Sequence, residues 1–234
     1  MAVCQHLAMT AAEIYGAVQL PGQLAYMACH FSAYGTGLSN IPSQLPKDSL
    51  LILNDRMPIC GHDHALIVQQ LEQLVQTLQC CGVLLDFQRP EYPELTTLAK
   101  TIADALPCPV AVSSLYAQDL FCPVFLPPVP LHKPLATYIA PWHDRVIWLE
   151  AATDAERITV TEQGSEIMLL PYTEPSPDAL TDTALHCTYE TKITQDAITF
   201  HLYRTKAQLE ALLDEAETLG IAKTIGLYQQ LRRA

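Results

Sequence analysis

Positive charge is scarce in this chain: 13 Lys and Arg stand against 25 Asp and Glu, a formal net charge of −12. No basic stripe marks any segment, which excludes the phosphate-binding footprint that a nucleic-acid partner needs. Long apolar runs are missing too. None nears the roughly 18 residues of a membrane-crossing helix, and residues 1–20 lack the basic start and continuous apolar stretch of an export signal. Glycine is sparse, with 9 residues and no Gly-rich phosphate loop among them, so no nucleotide cofactor is expected. The 8 cysteines include no Cys-x-x-Cys pair, and no Gly-x-Ser-x-Gly nucleophile elbow occurs. The thiols read as free, in a reducing cytoplasm, most of them serving as small buried hydrophobes.

What remains is ample core. Half of the residues are apolar, and 234 residues suit one α/β domain spanning 1–234. Thr10 to Glu13 forms a capping box that opens a helix to about residue 19. Leu24 to Ala33 reads as a strand with Tyr26, Ala28, His30 and Ser32 on one face, and Leu50 to Asp55 as a buried strand ending in polar groups. Asp63 is placed to cap a helix over 64–79. Further helices are expected near 93–106 and 134–140, and further strands over 82–88, 109–116, 145–150 and 166–171. Residues 117–141 otherwise read as proline-rich loop, and 155–165 fits either a short helix or a strand. The segment 185–203 alternates like antiparallel strands, Thr205 to Gln208 opens a last helix, and Lys223 to Tyr228 forms a last strand. The β-then-α order of the first half points to parallel strands with helices outside them.

The segment Cys81-Gly82-Val83-Leu84-Leu85-Asp86-Phe87-Gln88 carries the chemistry. Alternation puts Val83, Leu85 and Phe87 on one face and Leu84, Asp86 and Gln88 on the other. Two polar groups at the carboxyl end of a buried strand is where an α/β barrel keeps its site. Cys60-Gly61-His62-Asp63-His64 has metal-capable side chains without zinc-site spacing or a completing pair, so no metal is expected and Asp63 is assigned to the helix cap.

This strand resembles the strand-four signature of glycoside hydrolase family 18, the chitinase-like enzymes, which reads Asp-Gly-x-Asp-x-Asp-x-Glu. Gly82, Asp86 and Phe87 match it; Cys81, Leu84 and Gln88 replace its Asp, Asp and Glu. The order of parts after residue 48 is similar as well. Pro171-Tyr172 resembles the end of the family's strand seven, and Tyr228 stands where it has a Trp; at strand six Trp148-Leu149-Glu150 departs from the family's Met-x-Tyr-Asp, which leaves the Tyr that steadies the acetamido group without a counterpart. The likeness runs closest to the spore-germination, cell-wall-associated branch. It implies a (β/α)8 TIM-barrel-like fold, complete or short of its first strands, with an antiparallel hairpin inserted at about 180–204 before the last helix.

On the family's mechanism the final Glu protonates the leaving oxygen, and the Asp two residues before it orients the acetamido group that acts as nucleophile. Gln88 has no proton to give. With Leu84 in place of an Asp, Asp86 is expected to lack a like-charge partner and to stay ionised. The resemblance therefore implies a non-catalytic or nearly inactive binding protein for carbohydrate, N-acetylglucosamine-containing sugars among them. Its expected contacts are Asp86, Gln88, Tyr228, Tyr172 and Asp55. Tyr26, Tyr116, Tyr172 and Tyr228 all fall near strand ends, where an amphipathic ring suits a wet rim. Two other readings stay open. One is a glycoside hydrolase using relocated acids, with Glu150 or Glu174 as donor. The other is a protein-interaction scaffold whose barrel is plugged.

Overall fold

The computed structural model describes residues 4–59, 61–89 and 92–231. Strands β1 (Cys4–Met9), β2 (Leu24–Phe31), β3 (Leu38–Ser39), β4 (Leu50–Asn54), β5 (Gly82–Asp86), β6 (Val110–Ser113), β7 (Val124–Leu126) and β8 (Ile147–Glu150) lie in the first two thirds of the chain. They are followed by β9 (Ala155–Thr161), β10 (Gly164–Leu170), β11 (Leu180–Asp182), β12 (Cys187–Ile193), β13 (Ile198–Tyr203) and β14 (Lys223–Leu227). Parallel pairing runs β1, β2, β4, β5, β6, β7, β8, β14 and back to β1, a closed eight-stranded barrel. The (β/α)8 expectation holds, and the barrel is complete because Cys4–Met9 supplies a strand that the sequence did not reveal.

Two further strands depart from the sequence reading. Val124–Leu126, inside the stretch read as loop, is the sixth barrel strand, which makes Ile147–Glu150 the seventh rather than the sixth. Three residues are too few for a visible period. The segment 166–171, read as strand seven, instead falls largely in β10 (Gly164–Leu170), which pairs antiparallel with β9. The insertion is correspondingly larger than a hairpin: a five-stranded antiparallel sheet spans 155–203, in the order β10, β9, β13, β12, β11.

Helices cover only part of the barrel. Helices α1 (Ala11–Gly16), α2 (His64–Leu78), α3 (Pro93–Ala105), α4 (Leu135–Ile139) and α5 (Lys206–Thr218) occupy connections, and α6 (Tyr228–Leu231) follows β14. No helix lies between β2 and β4 or between β6 and β7; apart from the two-residue strand β3, the described residues there are turns and loops. Apolar residues at helical spacing explain the packing of α2 and α3: Ile67, Leu71, Val75 and Leu78 on α2, and Leu95, Leu98, Ala99 and Ile102 on α3. These enter one large core with the outward faces of the strands, such as Val83, Leu85 and Phe87. Asp63 Oδ1 accepts from the Ala65 and Leu66 amides, and both capping boxes form. Each cap stabilises its helix by about 1 kcal/mol.

The barrel interior holds a separate core of Ala8, Ala25, Leu50, Ile52, Leu84, Ala111, Phe125, Trp148 and Ile225. Gly82 makes room for it: a Cβ there would lie 3.0 Å from the Trp148 ring and from the Pro109 carbonyl. Below, His6 is wholly buried, with Cys4 Sγ 3.8 Å from Nδ1 and Cys81 Sγ 3.6 Å from Nε2. Burial and the Lys223 ammonium hold its pKa down at about 4. Lys223 Nζ donates to Cys81 Sγ at 3.5 Å and lies 5.3 Å above the Trp148 ring.

The sheet is clamped to the barrel by Arg204, which is fully buried at the end of β13. It donates to the carbonyls of Val129 at 2.7 Å, His186 at 3.3 Å and Leu185 at 3.4 Å. Glu156 on β9 adds a second clamp, accepting from the Leu131 amide at 3.0 Å and pairing with His132 Nδ1 at 2.7 Å.

Candidate functional site

The mouth of the barrel, at the carboxyl ends of its strands, opens into a cleft of about 780 Å³. Parity on β5 decides what reaches it. Leu84 belongs to the interior core, and the next inward positions, Asp86 and Gln88, line the cleft. Glu150 enters from the end of β8, with Phe125 from β7 between them around the ring.

Asp86 Oδ1 accepts from Gln88 Nε2, so one polar side chain steadies the other. Desolvation pushes the Asp86 carboxyl above its ordinary value; the Gln88 amide opposes the rise and the Asp55 carboxylate adds to it. Glu150 is shifted further, from 4.5 to about 7, by burial first and then by the carboxylates of Asp86 and Asp154. The expectation that Asp86 stands without a like-charge neighbour is thus corrected. The missing neighbour at Leu84 is replaced by Asp55 from the adjoining strand, and Asp86 itself acts on Glu150 from across the mouth. A carboxyl that is half protonated near neutrality can donate a proton, whereas the Gln88 amide cannot.

Asp55 also lines the cleft, but it is buried and both its oxygens are engaged. Oδ1 accepts from the Gln88 amide at 3.1 Å and Oδ2 from the Arg89 amide at 2.8 Å, which sets the loop beyond β5. The remaining expected residues lie elsewhere. Tyr172 and Glu174 line a separate cavity of about 380 Å³ with Thr153, Lys206 and Gln230, where burial and Glu174 push the Tyr172 phenol up to about 12. Tyr228 opens α6 and packs against the outer core. Tyr116 meets Phe87 edge-on at 5.9 Å and donates its hydroxyl to the Arg89 carbonyl. Among the described residues, none of these tyrosines lines the mouth.

The cleft also takes in residues that the sequence reading did not select: Thr10, Met27, Asn40, Asn54, Arg56 and Arg89. His30 enters through a change of parity. Ala25 and Met27 point inward, the ladder to β4 shifts between Tyr26 and Cys29, and Ala28 and His30 face the mouth thereafter. Tyr26 and His30, expected on one face, therefore end on opposite faces, because a bulge reverses alternation. Asn54 holds the irregular segment, its Nδ2 donating to the carbonyls of Met27 and Cys29 at 3.0 Å each. His30 Nδ1 donates to the Phe31 carbonyl at 2.7 Å and Nε2 accepts from Asn40 Nδ2 at 3.1 Å, which fixes the tautomer. Among the described residues no three His, Cys, Asp or Glu side chains converge to hold a metal ion; Cys60 lies outside them. No described helix is long and apolar enough to cross a membrane.

No protein-family model matches the sequence, and no curated protein matches it. Solved structures do. The spore cortex-lytic enzyme SleL of Bacillus cereus superposes with a TM-score of 0.54 at 10% identity, over 96% of this chain and 70% of that one. SleL of Bacillus megaterium gives the same values. A chitinase of Chromobacterium violaceum gives 0.55 at 9% identity, over 96% of this chain and 93% of that one. At such identity the likeness is one of fold. The barrel of this chain is thus similar in fold to these chitinase and spore cortex-lytic enzyme structures, as the resemblance of its fourth barrel strand to glycoside hydrolase family 18 implies.

Proposed function

We propose that the mouth of this barrel binds a carbohydrate, an N-acetylated sugar or its oligomer, and that the chain turns such ligands over slowly or not at all. The observation that carries this reading is the pairing of Asp86 with Gln88 in an open cleft above a filled barrel interior. A carboxylate oxygen and an amide, held together, offer both acceptor and donor to a sugar's hydroxyl or acetamido groups. The amide stands where the resemblance calls for an acid, which removes a proton source worth roughly 10²–10⁴-fold in rate. The names of the similar structures, chitinases and cortex-lytic enzymes, point to the same ligand class. Calorimetric titration with N-acetylglucosamine oligomers tests it: binding that Asp86→Ala abolishes is expected, and heat-silent titration of the intact chain would overturn it.

Glu150 favours a second reading, hydrolysis with a relocated acid. It lines the same cleft as Asp86, and its carboxyl is held at about 7. On this reading Glu150 protonates the leaving oxygen and Asp86 steadies the acetamido group. Release of reducing ends from chitin oligomers by the wild-type chain, lost in Glu150→Gln and retained in Gln88→Ala, would replace the binding-only reading with this one.

A further inference from the structure

At the end of the barrel opposite the mouth, nucleophilic and basic side chains from three strands meet on the floor. Cys81 directly precedes β5, Lys223 opens β14, and Cys4 and His6 lie on β1. Lys223 Nζ is 3.5 Å from Cys81 Sγ, the one lysine hydrogen-bonded to a thiol among the described residues. His6 Nε2 lies 3.6 Å from the same sulfur, and Cys4 Sγ sits 3.8 Å from the other ring nitrogen. Cys81 and Lys223 are each only half-buried, so a small solute can reach the pair, whereas Cys29, Cys80 and Cys187 are buried.

The pair spans the ring. Around the barrel the strands run β1, β2, β4, β5, β6, β7, β8, β14, so β5 and β14 stand diametrically opposite each other. The two residues are 142 positions apart in the chain, and neither lines the mouth. His6 is held at about 4 and is uncharged at neutral pH, which leaves Lys223 as the cation beside the thiol. Burial raises the Cys81 thiol above its ordinary value; Lys223 opposes the rise, and Cys4 and Asp48 add to it. The thiolate is therefore scarce at neutral pH, and oxidation calls for mildly alkaline conditions.

We propose that Cys81 and Lys223 form an oxidative cross-link, a sulfenamide made on exposure to hydrogen peroxide, which staples opposite strands of the barrel floor. In the first step the Cys81 thiolate attacks peroxide: an S–O bond forms, the O–O bond breaks, and the departing hydroxide takes the thiol's proton away as water. In the second the uncharged Lys223 amine attacks the sulfenic sulfur: an S–N bond forms, the S–O bond breaks, and a second water leaves with one amine proton. Sulfur loses two electrons and peroxide gains them. Sulfenic acids condense with a neighbouring backbone nitrogen in the same way, and here contact between Nζ and Sγ puts an amine in that place. Two equivalents of a thiol reductant return the free thiol and amine and leave as a disulfide. The cross-link is independent of what the mouth binds.

Peptide mass spectrometry of the full chain, treated with peroxide at about pH 9 to supply thiolate and free amine, tests it. The Cys81 peptide should appear joined to the Lys223 peptide with the loss of two hydrogens, and dithiothreitol should separate them. Lys223→Arg keeps the charge but should give no cross-link, and dimedone should instead trap a sulfenic acid at Cys81. Cys81→Ser should give neither product. The linked wild-type protein should melt several degrees above the reduced one, because the bond closes a span of 142 residues; equal midpoints would overturn the staple. Cys81 found in a disulfide with Cys4, Cys80 or Cys108, oxidised to sulfinic acid without a link, or unmodified would overturn the proposal. Because the wild-type peptide map decides this directly, a variant that fails to fold does not shield it.

Discussion

Glu150→Gln isolates the electrostatics of the mouth. The native carboxyl is held at about 7 against an ordinary 4.5, so the folded chain binds a proton there that the unfolded chain has already released. Stability contributed by this group is therefore complete below about pH 4.5 and is lost as pH rises through 7. The full shift corresponds to about 3 kcal/mol, and water at the open mouth reduces it to about 2–3 kcal/mol. Gln is uncharged at every pH and matches the protonated acid in shape. Urea unfolding should give equal stability for the two proteins at pH 4.5, and at pH 8 the variant should be the more stable by about that amount. Asp86 and Asp154 titrate in both proteins, so the difference between the curves reports Glu150. Parallel curves, separated by a constant offset, would mean that Glu150 is solvated and that the mouth does not crowd its carboxylates.

Three further perturbations probe the frame. Arg204→Met removes three hydrogen bonds to carbonyls and the cation facing Asp154, and should cost about 3 kcal/mol in urea unfolding; an unchanged midpoint would show that the sheet does not depend on this clamp. At Gly226 a Cβ would sit 2.6 Å from the Ala151 carbonyl and 2.5 Å from Leu231 Cδ1, so Gly226→Ala should destabilise by about 1–3 kcal/mol, and a wild-type melting temperature would contradict that packing. Burial pushes the thiols of Cys29 up to about 12 and of Cys80 and Cys187 to about 11; brief iodoacetamide treatment at pH 8 should leave all three unmodified until denaturant is added, as read by peptide mass spectrometry.

Sequence alone determined what is local. Capping residues Thr10, Asp63 and Thr205 mark helix starts because side chain and backbone meet within three residues. The parity of Leu84, Asp86 and Gln88 follows from strand geometry and needed only a closed sheet to give it meaning. Tertiary structure alone decided which strands close the ring and which carboxylates meet. Cys4–Met9 and Val124–Leu126 are strands because their neighbours complete the ladder, while 164–170 has strand character yet pairs outside the barrel. Glu150 faces the same cleft as Asp86 from 64 residues away in the chain, and a bulge after Tyr26 turns His30 inward. Long-range pairing and the burial it imposes set these outcomes, since neither the register between distant strands nor the desolvation of a carboxyl is encoded in the few residues around it.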